Sequence, residues 1–194
     1  MTFDTKLDAR NASVASRNAR TAIEREVAEA GLASHDWASI TRKGNVTCYV
    51  SMDNEPPTDA LRAELKKIDR VPYLPIMLPA RQLAWGQDGD DLAKNNYGVL
   101  EPEEDSHFAL SSATALIIPA LRAGLDGSRL GRGAGYYDRA LATIPPHSVG
   151  GPLRIVIVFD DEVDDTVPHD ELDQYVDVIV TPSRVIRLSE DARA

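Results

Sequence analysis

Apolar runs alternate with amphipathic segments along most of the chain. Five of these runs predict strands, at 46–51, 71–77, 116–119, 154–159 and 176–181. The segment 82–85 is predicted to pair beside 71–77, with a loop at 86–91 after it. Between the first two runs, Leu61, Leu65 and Ile68 recur at helical spacing, which predicts a helix over 58–68. Strand and helix therefore alternate.

The two ends of the chain differ from this middle region. The first 30 residues are rich in Ala, Arg and Glu and predict helix up to Gly31, continuous or with a break. The polar residues 189–194 predict a frayed tail. Apolar runs separated by helices are typical of strands covered on both faces. We therefore predict the α/β class, with residues 1–194 forming a single three-layer α/β/α domain.

Composition narrows the class and the compartment. A chain of 194 residues can bury a full core without disulfides. The one cysteine, Cys48, excludes an intramolecular disulfide and a cysteine-ligated metal cluster. No apolar run reaches membrane-spanning length, and the first residues lack the basic and apolar regions of a signal peptide. We expect a soluble, cytoplasmic and monomeric protein that does not bind membranes.

The charge is unevenly distributed. The net charge of −10 argues against a general nucleic-acid-binding protein, which needs basic faces. Residues 122–139, however, carry four arginines and two aspartates, so this segment is +2 and the remainder is −12. A basic segment on an acidic chain indicates a local site for an anionic ligand.

The segment 129–139 combines that basic charge with glycines at every second position. Gly131, Gly133 and Gly135 allow backbone conformations that bring several N–H groups to one anion. A helix predicted at 136–143 would place the segment at a positive helix N-terminus. The spacing G-x-G-x-G is neither the dinucleotide fingerprint nor the Walker loop. These features predict a site for a phosphate and its metal.

Together with the buried run 115–119, the segment 129–139 strongly resembles the signature of the 5-formyltetrahydrofolate cyclo-ligase family, R-[LI]-G-x-G-x-G-Y-Y-D-R. Four further blocks extend the resemblance over most of the chain. The family's K-x-x-x-R is present at Lys6 and Arg10, and its Y-x-S-x-x-x-E block is present at 49–55, followed by Thr58. The block G-[IV]-x-E-P aligns with 98–102, and the C-terminal block V-P-x-x-x-x-D-x-x-V-D aligns with 167–177.

The resemblance implies a mostly parallel central sheet and an ATP- and Mg²⁺-dependent reaction. The enzyme would cyclise 5-formyltetrahydrofolate to 5,10-methenyltetrahydrofolate, with phosphorylation of the formyl oxygen and release of ADP and phosphate. Two alternatives remain open: a relative that binds folate or nucleotide without turnover, and an ATP-dependent enzyme on the same scaffold that acts on another small anionic substrate.

The resemblance also implies the site residues. Asp138 and Asp173 would hold the metal, and Lys6, Arg129 and Arg132 would be catalytic. ATP would be bound by Lys6, Arg10, Arg129, Leu130, Gly131, Arg132, Gly133, Ala134, Gly135, Tyr136 and Tyr137. The folate would be bound by Val50, Glu55, Tyr97, Glu101, Arg132, Gly133, Ala134, Gly135 and Tyr136. Trp85 is a further possible stacking surface. Ala134 stands where many members have Lys and others Gly, so the stabilising charge would rest more on Arg132 and Lys6.

Overall fold

The computed structural model describes residues 3, 5–52, 54–70, 72–89 and 91–188. The predicted tail at 189–194 lies outside them. No helix in the described part of the chain is long and apolar enough to span a bilayer. The helices are α1 (Lys6–Asn18), α2 (Ala22–Ser34), α3 (Trp37–Thr41), α4 (Asp59–Lys67) and α5 (Tyr136–Leu141).

In the part of the chain that the structure describes, twelve strands form one large sheet and two small ones. The strands are β1 (Val46–Thr47), β2 (Pro72–Leu78), β3 (Gln82–Gln87), β4 (Leu92–Lys94), β5 (Leu100–Pro102), β6 (Ala115–Pro119), β7 (Arg122–Gly124), β8 (Arg129–Leu130), β9 (Leu153–Ile157), β10 (Val163–Asp164), β11 (Val178–Val180) and β12 (Val185–Arg187). The large sheet has the order β12-β11-β9-β6-β1-β2-β3. Its five central strands are parallel, and its two edge strands are antiparallel to their neighbours. The predicted mostly parallel sheet is confirmed.

Both faces of the large sheet are covered. In β6, Ile117 belongs to a buried apolar cluster with Leu61 of α4, whereas Ile118 belongs to a second cluster with Leu141 of α5. Strand β9 alternates in the same way, as expected for side chains that point to opposite faces of a sheet. Cys48 lies in the first cluster, where burial raises the pKa of its thiol to about 12. The thiol therefore stays protonated and is a core residue.

The helical N-terminal region is broken, and its end differs from the prediction. A capping box between Thr21 and Glu24 starts α2, which separates it from α1. The predicted end at Gly31 is wrong, because α2 continues to Ser34. Gly31 instead serves close packing, since a Cβ there would lie 2.5 Å from the carbonyl oxygen of Pro182. Glycine thus allows α2 to approach the C-terminal segment.

Strand boundaries also differ from the prediction, most clearly at β1 and β3. β1 has two residues instead of six, because the backbone beyond it bonds elsewhere; the hydroxyl of Thr58, for example, donates to the Tyr49 carbonyl at 2.7 Å. The loop predicted at 86–91 begins later, because Gly86 is inside β3. A Cβ at Gly86 would lie 2.3 Å from Cβ of Pro102, so the glycine fits strand packing and not a turn.

The fold brings three segments to one edge of the large sheet. The chain leaves β1 after Thr47 and β6 after Pro119. The carboxyl ends of parallel strands lie at the same edge of a sheet, where ligands commonly bind. The hairpin β7–β8 then leads into the glycine-rich segment. Helix α1 is fixed beside it by a fully buried ion pair, in which Arg17 Nε lies 2.7 Å from Glu162 Oε1. This pair anchors the last turn of α1, the helix that carries Lys6 and Arg10.

Candidate active site

Two cavities meet at residues 131–135, which we call the glycine loop. The first cavity has a volume of about 460 Å³ and the second of about 530 Å³. The strand ends that follow β1 and β6 contribute to the first cavity, and helix α1 contributes to the second. Seven residues line both: Arg81, Arg129, Gly131, Gly133, Ala134, Gly135 and Asp138. A ligand in one cavity would therefore lie next to a ligand in the other.

Glycine is required in the loop for two separate reasons. Gly133 and Gly135 have φ values of +101° and +75°, which other residues rarely adopt. A Cβ at Gly133 would also lie 3.2 Å from Cζ of Arg10, whose Nε donates to the Gly131 carbonyl at 2.9 Å. Gly135 is the N-cap of α5, which ends at Leu141, two residues before the predicted end. The loop is thus held between α1 and α5.

Charged pairs dominate the second cavity. The ammonium of Lys6 donates to Asp170 at 2.6 Å and also to Asp173. Burial lowers the pKa of Lys6, but hydrogen bonds and attraction to the two carboxylates outweigh this effect and raise the pKa above its usual value. Arg129 donates to Asp138, which also accepts from the backbone N–H of Gln174 at 3.2 Å. The predicted phosphate-binding cations are therefore paired with the predicted metal ligands.

Asp138 and Asp173 both line the second cavity. Among the described residues, no group of three or more His, Cys, Asp or Glu side chains is arranged to hold a metal ion. A pair of carboxylates fits Mg²⁺ all the same, because this ion is usually bound by one or two carboxylates together with waters and substrate phosphates. The donor chemistry of the cavity is therefore suitable for a magnesium nucleotide.

The first cavity contains one buried carboxylate among mostly apolar walls. Glu55 is only 5% exposed, and its Oε2 accepts from the backbone N–H of Met52 at 3.0 Å. Its Oε1 accepts from Nε of Arg132 at 3.0 Å, and Arg132 also donates to Asn54 at 2.6 Å. Val50 lines this cavity beside Glu55. Two predicted site residues, Glu55 and Arg132, are thus partners of each other.

The structure separates the predicted folate-binding residues into two groups. Tyr97 lines the first cavity and is 71% exposed, so its ring is free to cover a ligand. Glu101 does not line either cavity: it accepts from the Met77 backbone at 3.0 Å and from Asn95 at 2.9 Å, which holds the β4–β5 hairpin against β2. Trp85 is 5% exposed and is a core residue. Only Tyr97 of these three is placed to touch a ligand.

The tyrosine pair at the start of α5 lies against the first cavity. Tyr136 and Tyr137 line that cavity and not the second, whereas Leu130 lines only the second. The ring of Tyr137 packs edge-on against Trp85 at 6.4 Å between centroids. Its hydroxyl is buried without a hydrogen-bond partner among the described residues. The two tyrosines thus line the first cavity, which Asp138 also borders, and not the second cavity with Asp173.

A sequence profile described as the 5-formyltetrahydrofolate cyclo-ligase family matches residues 4–182. The chain belongs to this family. The matched range contains every site residue described above, from Lys6 to Asp173. The resemblance inferred from the glycine loop and its flanking blocks is thereby confirmed.

Relatives in the 5-formyltetrahydrofolate cyclo-ligase family match along most of their length. A 5-formyltetrahydrofolate cyclo-ligase of Mycolicibacterium smegmatis is 32% identical over 163 residues, which are 77% of this chain and 80% of the relative. The Escherichia coli K12 protein of the same name is 30% identical over 155 residues, 77% of this chain and 84% of the relative.

Two solved structures share the fold. A 5,10-methenyltetrahydrofolate synthetase of Aquifex aeolicus superposes with a TM-score of 0.76 at 24% identity, covering 94% of this chain and 92% of that one. The Mycoplasma pneumoniae synthetase superposes with a TM-score of 0.73 at 21% identity, covering 93% of this chain and 99% of that one. These likenesses confirm the three-layer α/β architecture.

Several cavity residues were not predicted from the family motifs. Arg81, Met77 and Leu83 come from the β2–β3 hairpin, a segment predicted only as paired strands. Arg139 also lines the second cavity. It is part of the recognised motif, but the motif gave no ligand-binding role to this residue. Alternation in a paired strand shows which positions share a face, but it does not show which face meets a distant loop. Only the folded chain reveals these contributions.

Proposed function

We propose that this protein is an ATP- and Mg²⁺-dependent 5-formyltetrahydrofolate cyclo-ligase that produces 5,10-methenyltetrahydrofolate, ADP and phosphate. One observation carries the proposal: two cavities of different chemistry share the glycine loop in a chain of this family. The second cavity has the charges for a magnesium nucleotide. The first has apolar walls and one buried carboxylate, which suits a fused heterocycle.

On the nucleotide side, Lys6, Arg10 and Arg129 bind the phosphates together with backbone N–H groups of the glycine loop. Asp138 and Asp173 hold Mg²⁺, which neutralises charge on the phosphate oxygens when it is bound. Lys6 pairs with Asp173, and Arg129 pairs with Asp138. When the magnesium nucleotide binds, the cations and the carboxylates therefore both exchange partners. Phosphates replace the carboxylates around the cations, so few charges are left uncompensated at any stage.

On the folate side, Glu55 holds the pterin ring. The aminopyrimidinone edge of a pterin offers two adjacent N–H donors, which the two oxygens of a carboxylate can accept. Val50 packs against the ring, and Tyr97 covers it at the cavity mouth. Glu101 acts indirectly, since it fixes the β4–β5 hairpin that carries Tyr97 towards the cavity.

The reaction proceeds without a covalent enzyme intermediate. The formyl oxygen attacks the γ-phosphorus of ATP, the bond from that phosphorus to the β–γ bridging oxygen breaks, and ADP leaves with the electron pair. N10 of the folate then attacks the activated formyl carbon, the C–O bond breaks, phosphate leaves, and N10 loses its proton. The new ring carries the methenyl carbon between N5 and N10.

Alignment and charge stabilisation supply the catalysis. Holding two substrates in reactive geometry can contribute about 7–11 kcal/mol to lowering the barrier. A phosphoryl group in transfer carries charge on its oxygens, and preorganised cations stabilise that charge. Lys6, Arg129 and Arg132 lie around the glycine loop where the two cavities meet and are the cations proposed for this role.

The function is tested by mixing the purified protein with 5-formyltetrahydrofolate and Mg²⁺ and following the near-ultraviolet absorbance of methenyltetrahydrofolate, with and without ATP. We expect an increase that requires both ATP and Mg²⁺. No increase would contradict the proposal. Titrations with ATP and with 5-formyltetrahydrofolate would then separate a binding protein from an enzyme that acts on another anionic substrate.

A further inference from the structure

Arg81 is a cation of the site to which the family motifs give no role. It lies in the short turn Pro79–Arg81 that joins β2 to β3, far in sequence from the glycine loop. Its side chain nevertheless lines both cavities. The other cations that line both, or either one, come from α1 or from the segment 129–139. The hairpin thus brings an independent positive charge to the junction.

The guanidinium of Arg81 is free, in contrast to Arg129, the other described cation that lines both cavities. Within the described residues it makes no hydrogen bond or ion pair. Arg129 and Arg132 are held by Asp138 and Glu55, and Lys6 is held by two aspartates. A cation with no carboxylate partner can bind an anion without giving up an existing interaction, so of the two described cations that line both cavities, Arg81 is more available to a ligand than Arg129.

The backbone at this turn is strained. Ala80 and Arg81 have φ values of +59° and +58°, although neither is glycine. Consecutive left-handed residues in hairpin turns favour Asn and Gly, and backbone strain of this kind clusters at functional sites. The pairing of Leu78 with Gln82 closes the turn and fixes this conformation. The strained turn is therefore the element that places Arg81 where the two cavities meet.

From this placement we infer that Arg81 is a further catalytic residue, which contacts the phosphoryl group while it moves from ATP to the formyl oxygen. This inference rests on the proposed function. The γ-phosphorus passes from the second cavity to the first as its bond to ADP breaks and its bond to the formyl oxygen forms. A guanidinium that borders both cavities can donate to its oxygens throughout that transfer.

Arg81→Gly and Arg81→Asn test the inference, because both remove the charge and both suit a positive φ. We expect kcat to fall by about 100-fold or more in each, the scale for loss of one charge-stabilising donor, with little change in KM for either substrate. The melting temperature should be unchanged or raised, since backbone strain is relieved. Arg81→Lys, which keeps a charge, should recover part of kcat.

Arg42→Gly is the matched control. Arg42 is an exposed arginine that also has a positive φ, of +58°, but it lines neither cavity. Its substitution should leave kcat unchanged. Normal kcat in both Arg81 variants would overturn the inference, and so would a rise in KM for one substrate alone with kcat retained. Absence of product with the unmutated protein would instead overturn the proposed function and this inference with it.

Discussion

The two sides of the glycine loop balance charge in different ways. On the proposed nucleotide side, Lys6 and Arg129 are paired with Asp173 and Asp138, so the cavity already contains its own counterions. On the folate side the walls are mostly apolar, and the buried Glu55 is compensated by Arg132 alone among the ion pairs of the described residues. Ligand binding in the second cavity would therefore replace one set of ion pairs by another. Binding in the first cavity would instead bury apolar surface around one polar contact, with Glu55.

Under the proposed function, this difference explains how an acidic protein would bind a polyanion. The net charge is −10, yet the basic segment and α1 converge on one cavity. The aspartates paired with these cations lower the net positive field there, and they would provide the oxygen ligands for the proposed Mg²⁺. Arg132 belongs to both descriptions, since it is bound to the folate-side carboxylate and is the proposed partner of the moving phosphoryl group.

The largest expected effects are the losses of turnover in Arg132→Ala and in the Arg81→Gly and Arg81→Asn variants. We expect turnover to fall by at least about 100-fold, because a charge-stabilising donor is removed from the transfer step. Steady-state kinetics with both substrates measures kcat and each KM. Arg132→Lys, which keeps the charge but loses the planar fork, should retain more turnover than Arg132→Ala. Near-normal turnover of Arg132→Ala would refute the catalytic role and leave Arg132 as a folate-side residue only.

Glu55→Gln should have a smaller effect that is confined to the folate side. Removing a charged acceptor of hydrogen bonds costs about 1.5–3 kcal/mol, which corresponds to roughly 10–100-fold in affinity for 5-formyltetrahydrofolate. Glutamine keeps the size of the side chain, so the cavity should retain its shape. Titration calorimetry with folate and, separately, with ATP measures the two affinities, and the affinity for ATP should change little.

Glu101→Gln is the matched control for Glu55→Gln. Both residues are glutamates proposed for the folate site from the family resemblance, but only Glu55 lines the cavity. We expect Glu101→Gln to leave folate affinity much less affected. Equal losses in both variants would show that Glu55 acts by shaping the cavity and does not bind the ring.

The glycine loop could be predicted from the sequence because its chemistry is local. Gly133 and Gly135 do adopt positive φ, and α5 begins at Tyr136 as predicted. The pairing of Arg132 with Glu55 could not be predicted, because these residues are 77 positions apart and the contact depends on how the segment after β1 and the glycine loop meet in space. The family pattern gave each a ligand-binding role and contained no signal that they contact one another.

Arg81 shows a second kind of limit. Its segment was predicted to be a strand followed by a paired strand, and β2 and β3 do pair antiparallel. Periodicity contains no information on the left-handed turn between them, since Ala80 and Arg81 are not residues that mark such turns. Tertiary packing selects that conformation. The continuation of α2 beyond Gly31 has the same cause. A glycine in this pattern predicts the end of a helix, but Gly31 is needed for close packing.

Tyr49→Phe should have the smallest effect. It tests a polar group of the proposed folate side that has no partner among the described residues, in contrast to the ion-paired groups of the proposed nucleotide side. Tyr49 lines the first cavity and is 3% exposed, and its hydroxyl has no hydrogen-bond partner within the described residues. Burial, and then the nearby Glu55 carboxylate, raise the pKa of this hydroxyl well above its usual value, so it remains a neutral donor.

Because an unsatisfied buried hydroxyl is destabilising, its removal should stabilise the ligand-free protein by about 1 kcal/mol, or roughly 2–4 °C in melting temperature for a chain of this size. If folate accepts a hydrogen bond from Tyr49, the stabilisation of the protein by added 5-formyltetrahydrofolate should decrease in the same variant. Thermal unfolding with and without the folate measures both. Tyr73→Phe is the control, since Tyr73 is only partly buried and stacks on Phe108 at 3.9 Å. A lower melting temperature for Tyr49→Phe would contradict the expectation, because it would mean that the hydroxyl stabilises the ligand-free fold and is not reserved for a ligand.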